Sequence, residues 1–275
     1  MPEMDMERRA VLGGLLGMGI LGSGGDAGAQ AVPAEVPEDV KASLAPTGVL
    51  RAAINYGNAS LASRDADGAL SGVSVDIARE LGRRLGLTVA LVPFDAAGKV
   101  TAAASAGVWD VAFLARDPVR ARDIAFTPAY VVIDGNYVVP RSSAIASPED
   151  VDRPGVRVAV GARSAYDLFL SRTLKHAEIV RAGSTPEAVA LFRSERLDVL
   201  AGVRRAVEGA VAADPGLRLI PTPFMAIRQA MGTPAGRPAA ERALAAFVED
   251  IKASGFVAQA LERHGQGDAA VAPPG

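Results

Sequence analysis

Between residues 48 and 264 the chain alternates short runs of apolar, β-branched residues with longer stretches whose apolar positions recur three or four apart. The first run, GVLRAAIN at 48–55, has strand character and ends at Tyr56-Gly57-Asn58, where glycine and asparagine mark a loop. From Asp76 to Leu85, Ile77, Leu81 and Leu85 stand among Arg79, Glu80, Arg83 and Arg84; this amphipathic helix is closed by Gly86. A strand follows at 87–92, a helix at 97–106, and a strand at 110–115 whose unbroken apolar content predicts burial on both faces. Such alternation of strand and helix predicts an open, largely parallel sheet.

Residues 130–139 continue as strand, with a bend at Asp134-Gly135-Asn136. The periodicity then lapses from Pro140 to Pro148, as expected of a segment crossing between two bodies. A second run opens with a strand at 156–160 and a helix at 165–174. Short strands at 179–180, 197–203 and 217–220 then alternate with helices at 186–194 and 205–213. Pro221-Thr222-Pro223 is a candidate second crossing, followed by a strand at 224–231 and helices at 238–254 and 256–264. The tail after Gly265 is expected to be disordered.

The stretch WDVAFLARDPVRARDIAFTPAY at 109–130 combines a buried strand, a charged loop and a second strand. Asp117-Pro118 begins a turn with a capping oxygen just ahead of a proline, and Arg120 follows on that turn. A guanidinium matches a carboxylate bidentately, and the free amides of a helix start add positive potential, so the unit is a candidate anion site. The competing reading is that Arg116, Arg120 and Arg122 are solvated charges paired with Asp117 and Asp123.

The 275 residues suffice for two modest lobes, and the net charge of −2 offers no basic surface for nucleic acid. Cysteine is absent, which excludes disulfides, thiolate metal sites and a cysteine nucleophile. The two histidines, His176 and His264, are far apart and leave little material for histidine catalysis or a zinc site; neither metal nor cofactor is expected. Glu7-Arg8-Arg9 precedes an apolar, glycine-rich run at 10–22, and Ala29-Gln30-Ala31 offers small residues for cleavage. Residues 1–31 therefore read as a signal peptide, with the paired arginines compatible with twin-arginine export. Residues 32–47 then form a proline-rich leader expected to be poorly ordered or loosely docked.

The succession LRAAIN, GVSVDIARELGRRLGL, WDVAFLARDPVRARDIAFTPAY, VRVAVGARSAYD and LDVLAGV resembles the extracellular solute-binding proteins of the amino-acid type, family 3, from about Gly48 to Gly265. Its most specific parts are the helix start at 72–78, the Trp-Asp strand, and R-x-x-x-[IV]-x-F-[ST]-x-x-Y at 120–130. The resemblance implies an α/β, two-lobed periplasmic-binding-protein fold (type II). Each lobe is then a mostly parallel sheet flanked by helices, with two hinge crossings and the solute between the lobes. Lobe 1 would comprise 48–139 plus 224–265, lobe 2 residues 140–223, and 266–275 the tail.

The same resemblance assigns Arg120 as the carboxylate clamp, Ser164 at the first helix of the second lobe as its partner, and Tyr56 as an aromatic cover. The residues remain open to simpler roles, Ser164 as a helix cap and Tyr56 as a lobe-edge cover. Asn58 and Tyr166 join the candidate ligand-binding set beside them. The chain departs from the family around Gly202-Val203-Arg204, where the acidic residue that commonly meets a ligand ammonium is replaced, and hydroxyls that hold an amino group are not evident between Leu114 and Arg120. An arginine at 204 would repel an ammonium, so Arg163 and Arg204 are candidates for extra positive charge facing an organic acid or amino-acid-like solute, and Arg116 joins the ligand-binding set. The implied role is the periplasmic solute-binding component of an ABC importer, a monomer working with a membrane permease. A cyclohexadienyl-dehydratase-like enzyme using Asp117, Asp134 or Asp167, and a sensor for a membrane receptor, are the rival readings.

Overall fold

In the computed structural model, residues 36–275 are described; the signal peptide expected at 1–31 and the first leader residues lie outside them. The described elements are α1 (Glu38–Leu44), β1 (Leu50–Asn55), a hairpin of β2 (Ser63–Arg64) and β3 (Leu70–Ser71), α2 (Val73–Leu85), β4 (Val89–Phe94), α3 (Ala97–Ala102) and β5 (Val111–Ala115). A 3-10 turn at Arg120–Arg122 leads into β6 (Ile124–Pro140), and a second at Pro148–Asp150 precedes β7 (Arg157–Gly161). The chain continues with α4 (Ala165–Thr173), β8 (Glu178–Ala182), α5 (Thr185–Ser194), β9 (Val199–Val203), α6 (Arg204–Ala212) and β10 (Leu217–Leu219). It ends with β11 (Met225–Pro234), α7 (Pro238–Ala253), α8 (Phe256–Arg263) and β12 (Ala270–Val271).

Two parallel trios organise the sheet, which runs β4-β1-β5-β11-β6-β9-β7-β8. β1 pairs in parallel with β4 and β5, and β7 in parallel with β8 and β9. The antiparallel strands β11 and β6 stitch the trios together. β6 changes partner at Gly135, from Met225 of β11 to Val203 of β9, so the chain passes between the two halves inside a strand, ahead of the Pro140 boundary expected from composition. The physical reason is that backbone pairing continues through the bend and leaves no composition signal. Fully buried Asn136 holds the return passage, its Nδ2 donating to the carbonyls of Ile220 (3.1 Å) and Pro221 (3.2 Å).

The expected periodicities have matching elements. α2 buries Ile77, Leu81 and Leu85 and ends at Gly86 with φ 66°, a left-handed turn that glycine adopts without steric cost. Every residue of β5 is buried. Beside it Trp109 is fully buried with Nε1 donating to the Val100 carbonyl (3.1 Å), which satisfies the indole in an apolar setting. Asp110, also fully buried, accepts from Arg51 Nε (2.8 Å) and Nη2 (2.7 Å) and from Arg237 Nη1 (3.3 Å), tying β1, β5 and the start of α7.

Both ends of the described chain differ from expectation. The leader expected to be poorly ordered or loosely docked forms α1, which packs on α7 with Leu44 fully buried; one such leucine contributes roughly 1.5–3 kcal/mol. Its two turns are too short for periodicity to outweigh the flanking prolines. The tail expected to be disordered contributes β12, which pairs antiparallel with Val131 and Val132 of β6, and Ala272 N donates to the Tyr130 carbonyl (3.0 Å). Backbone groups of an open strand edge accept a partner of almost any composition, which is why residue type gave no warning.

Candidate functional site

A cleft opens where the two parallel trios face one another. Its wall is built from residues at or just past the C-terminal ends of the strands: Asn55 of β1, Ala96 after β4, Ala115 of β5, Gly161 of β7, Ser184 after β8 and Val203 of β9. Carboxyl ends of parallel strands leave a crevice because the chain turns outward into helices there. Close approach keeps the loops in place. A Cβ on Gly57 would stand 2.0 Å from the Asp95 carbonyl oxygen, and one on Gly98 would stand 2.8 Å from Arg163 Cβ, so both positions require glycine.

Arg120 lies on this wall with 2 % of its surface exposed. The turn that carries it forms as the sequence predicts: Asp117 Oδ1 accepts from Val119 N (2.8 Å). Its Nη1 donates to the Ala115 carbonyl (3.0 Å) and its Nη2 to the Arg163 carbonyl across the cleft (2.9 Å), while the buried Nε has no hydrogen-bond partner. Burial pushes the guanidinium pKa down to about 10, with Asp117 opposing and Arg163 adding to the shift, so the group stays charged at neutral pH. No carboxylate forms an ion pair with it among the described residues. A buried cation held only by carbonyls is incompletely compensated and favours a nearby anion.

Ser164, Asn58 and Tyr166 share the cleft with Arg120. Ser164 Oγ accepts from Asp167 N (3.0 Å), so it caps α4, and its hydroxyl also hydrogen-bonds the Tyr166 side chain. Tyr166 OH is bonded to Thr185 Oγ1 (3.0 Å) on the facing start of α5.

Four other predicted residues stand elsewhere. Tyr56 does not line the cleft; its ring lies under the Arg64 guanidinium, 5.7 Å from carbon to centroid. Arg116 is exposed and does not line the cleft, because consecutive residues at a strand end point to opposite faces. Arg163 presents only its backbone: its side chain is exposed, its carbonyl receives Arg120 and its N donates to Asp167 Oδ2 (2.6 Å). Arg204 opens α6 and pairs with Glu208 (2.8 Å) one turn on, so the positive charge expected at this point of the cleft is replaced by the apolar side chain of Val203.

Residues missed from the sequence complete the wall. Gln229, buried in β11, has no hydrogen-bonded side chain, and Ile227 and Leu114 add apolar surface. A polar residue inside the apolar run MAIRQAMG was the available signal for Gln229; Asn55 and Val203 were findable as the last residues of parallel strands. The acids considered for catalysis lie outside the lining. Asp117 pairs with Arg172 Nη2 (2.8 Å), Asp167 with Arg181 Nε (2.9 Å), and Asp134 is a half-buried residue of β6. Among the described residues no cluster of three or more acidic or histidine side chains could hold a metal ion, and no helix is long and apolar enough to cross a membrane.

Comparison with known proteins adds three findings. The family model described as bacterial extracellular solute-binding proteins, family 3, matches residues 50–267. No curated protein sequence matches the chain. Among solved structures, a mutant of ArgBP from T. maritima is similar at 19% identity over 82% of this chain and 98% of that one, with a TM-score of 0.70. A putative binding component of an ABC transporter from Wolinella succinogenes, complexed with lysine, is similar at 20% identity over 79% and 95%, with a TM-score of 0.69. An ancestral amino-acid-binding protein, a precursor of cyclohexadienyl dehydratase, is similar at 20% over 80% and 96%, with a TM-score of 0.68. At these identities the structural likeness establishes a two-lobed α/β fold.

Proposed function

This chain belongs to the bacterial extracellular solute-binding proteins, family 3, and on that premise we propose that it is the periplasmic solute-binding component of an ABC importer. Its two halves close on a small carboxylate-bearing solute, and the closed form is read by a membrane permease. The observation that carries this reading is Arg120: a charged guanidinium, buried at the wall of a cleft between the halves, with Nε unpartnered and no carboxylate in ion-pair contact among the described residues. The solute carboxylate takes the position that compensates this charge, with Ser164 beside it on the cleft wall.

The role is binding without turnover. A dehydratase would need a cleft carboxylic acid, and Asp117 and Asp167 are engaged by Arg172 and Arg181. Calorimetric titration of the purified mature chain against carboxylates and amino acids is the test. Saturable binding that Arg120→Ala weakens, without consumption of the solute, is the expected result. Steady turnover of prephenate or arogenate would overturn it.

A further inference from the structure

Taking the cleft as a solute site, as proposed above, we infer that its solute is a carboxylate without an ammonium group, whose second polar group is a hydrogen-bond-accepting oxygen. The wall supplies donors in excess. Asn55 Oδ1 accepts from Gly57 N (3.2 Å) and Asn58 Oδ1 accepts from Ser60 N (3.3 Å), which orients both amides and leaves each Nδ2 free to donate. Arg120 Nε is buried and has no partner.

Acceptors are scarce by contrast. No aspartate or glutamate lines the cleft. Of the acids nearby, Asp117 is consumed by Arg172, Asp167 by Arg181 and Arg163 N, and Glu187 by Ser184 Oγ (3.0 Å) and Gly183 N (3.1 Å); Asp95, outside the lining, holds Lys99 through Oδ2 (2.7 Å) and keeps a buried, unpartnered Oδ1. Val203 ends β9 with an isopropyl group on the wall. Gln229, 4% exposed and without a hydrogen-bonded side chain, is the one lining side chain with a whole amide to offer, and its oxygen carries no formal charge. An ammonium placed in this wall would lose water beside a buried guanidinium and gain no negative partner, whereas a keto, hydroxyl or second carboxylate oxygen meets donors that are already oriented.

The test is calorimetry on the mature chain near neutral pH with pairs sharing a carbon skeleton: alanine against pyruvate and lactate, valine against 2-oxoisovalerate, glutamate against 2-oxoglutarate, aspartate against malate and succinate. The expected result is that in at least one pair the ammonium-free acid binds more tightly by about tenfold or more, the size of effect an uncompensated buried charge produces. Val203→Asp, checked for folding by its melting transition, should reverse or erase that preference. Tighter binding of the amino acid in every pair would overturn the inference and leave the binding role standing. Absence of saturable binding by either class would overturn both. The comparison in the unmodified chain decides the matter even if the Val203 variant fails to fold.

Discussion

Arg120 and Arg163 meet across the cleft through side chain and backbone: Arg120 Nη2 donates to the Arg163 carbonyl oxygen at 2.9 Å, and Arg163 adopts φ 58°. The second arginine therefore contributes a carbonyl, and its own guanidinium is turned out to solvent. Of Arg120, Arg116, Arg163 and Arg204, all expected at the site, only Arg120 lines it.

Arg120→Ala should weaken solute binding by more than about tenfold, since a buried charge-assisted hydrogen bond is worth roughly 1.5–3 kcal/mol. Arg120→Lys should recover only part of the loss, because an ammonium cannot present a planar fork. Arg204→Ala should change affinity by less than about threefold, because that guanidinium is spent on Glu208 in a pair typically worth a few tenths of a kcal/mol. Calorimetry on the three variants separates the two arginines; equal losses at both positions would contradict the assignment.

Arg163→Gly should keep solute affinity and raise the melting temperature. The left-handed conformation costs an L-residue roughly 1–2 kcal/mol that glycine escapes, offset in part by the greater freedom of glycine in the unfolded chain. The net gain expected is about 0.5–1 kcal/mol, read by thermal melting. A lowered melting point would show that the Arg163 side chain contributes more than the structure displays.

Arg172→Ala should loosen closure. Asp117, on the loop after β5, and Arg172, on α4, join the two halves at 2.8 Å, and the carboxylate is only 5% exposed whereas the guanidinium is 44% exposed. Loss of the arginine leaves a poorly hydrated carboxylate that regains water when the halves part, so affinity should fall by about tenfold with the melting temperature little changed. Small-angle scattering of the solute-bound variant should show a larger radius of gyration than the parent. An unchanged radius together with unchanged affinity would dismiss the pair as a closing contact.

Acid should weaken the fold in part through Glu80. The hydrogen bond from Arg83, opposed by burial and supported by Arg84, brings its pKa to about 2. A carboxylate with a lowered folded pKa stabilises above its unfolded value and loses that contribution as pH falls toward the folded one. Glu80→Gln should therefore cost up to about 2 kcal/mol at neutral pH, discounted for the exposed Arg83, with the difference from the parent closing between about pH 5 and pH 2. Urea unfolding across that range reads the convergence, and a constant gap would rule the linkage out.

Asp110→Asn tests the buried charge cluster at neutral pH. Burial alone would raise the pKa of Asp110, but hydrogen bonds from Arg51 and Arg237 outweigh it and hold the carboxyl below its usual range. The substitution leaves two partly buried guanidiniums without their counter-charge and should cost about 3 kcal/mol or more, measured by the same unfolding experiment. A loss below about 1 kcal/mol would mean that solvent already compensates the arginines.

Local sequence was enough for the elements whose signal is local. The spacing of Ile77, Leu81 and Leu85 set α2 on one buried face, Gly86 ended it, and the unbroken apolar run at 111–115 could only be an interior strand. Arg120 was singled out by a motif that couples a turn to the strand beyond it. The pair of Arg204 and Glu208 was equally within reach, being one helical turn apart, and it argued against a cleft role for Arg204. The facing of the other groups depended on contacts between residues far apart along the chain. Arg163 takes its place because Gly98, having no Cβ, leaves room for its own Cβ and Arg120 holds its carbonyl, and Gln229 reaches the cleft because β11 runs antiparallel between β5 and β6. Periodicity records which face of an element is apolar; it carries no record of which elements pack together. The number of positive charges on the cleft wall, and the lack of a negative one, were therefore settled only when the two halves of the sheet came together.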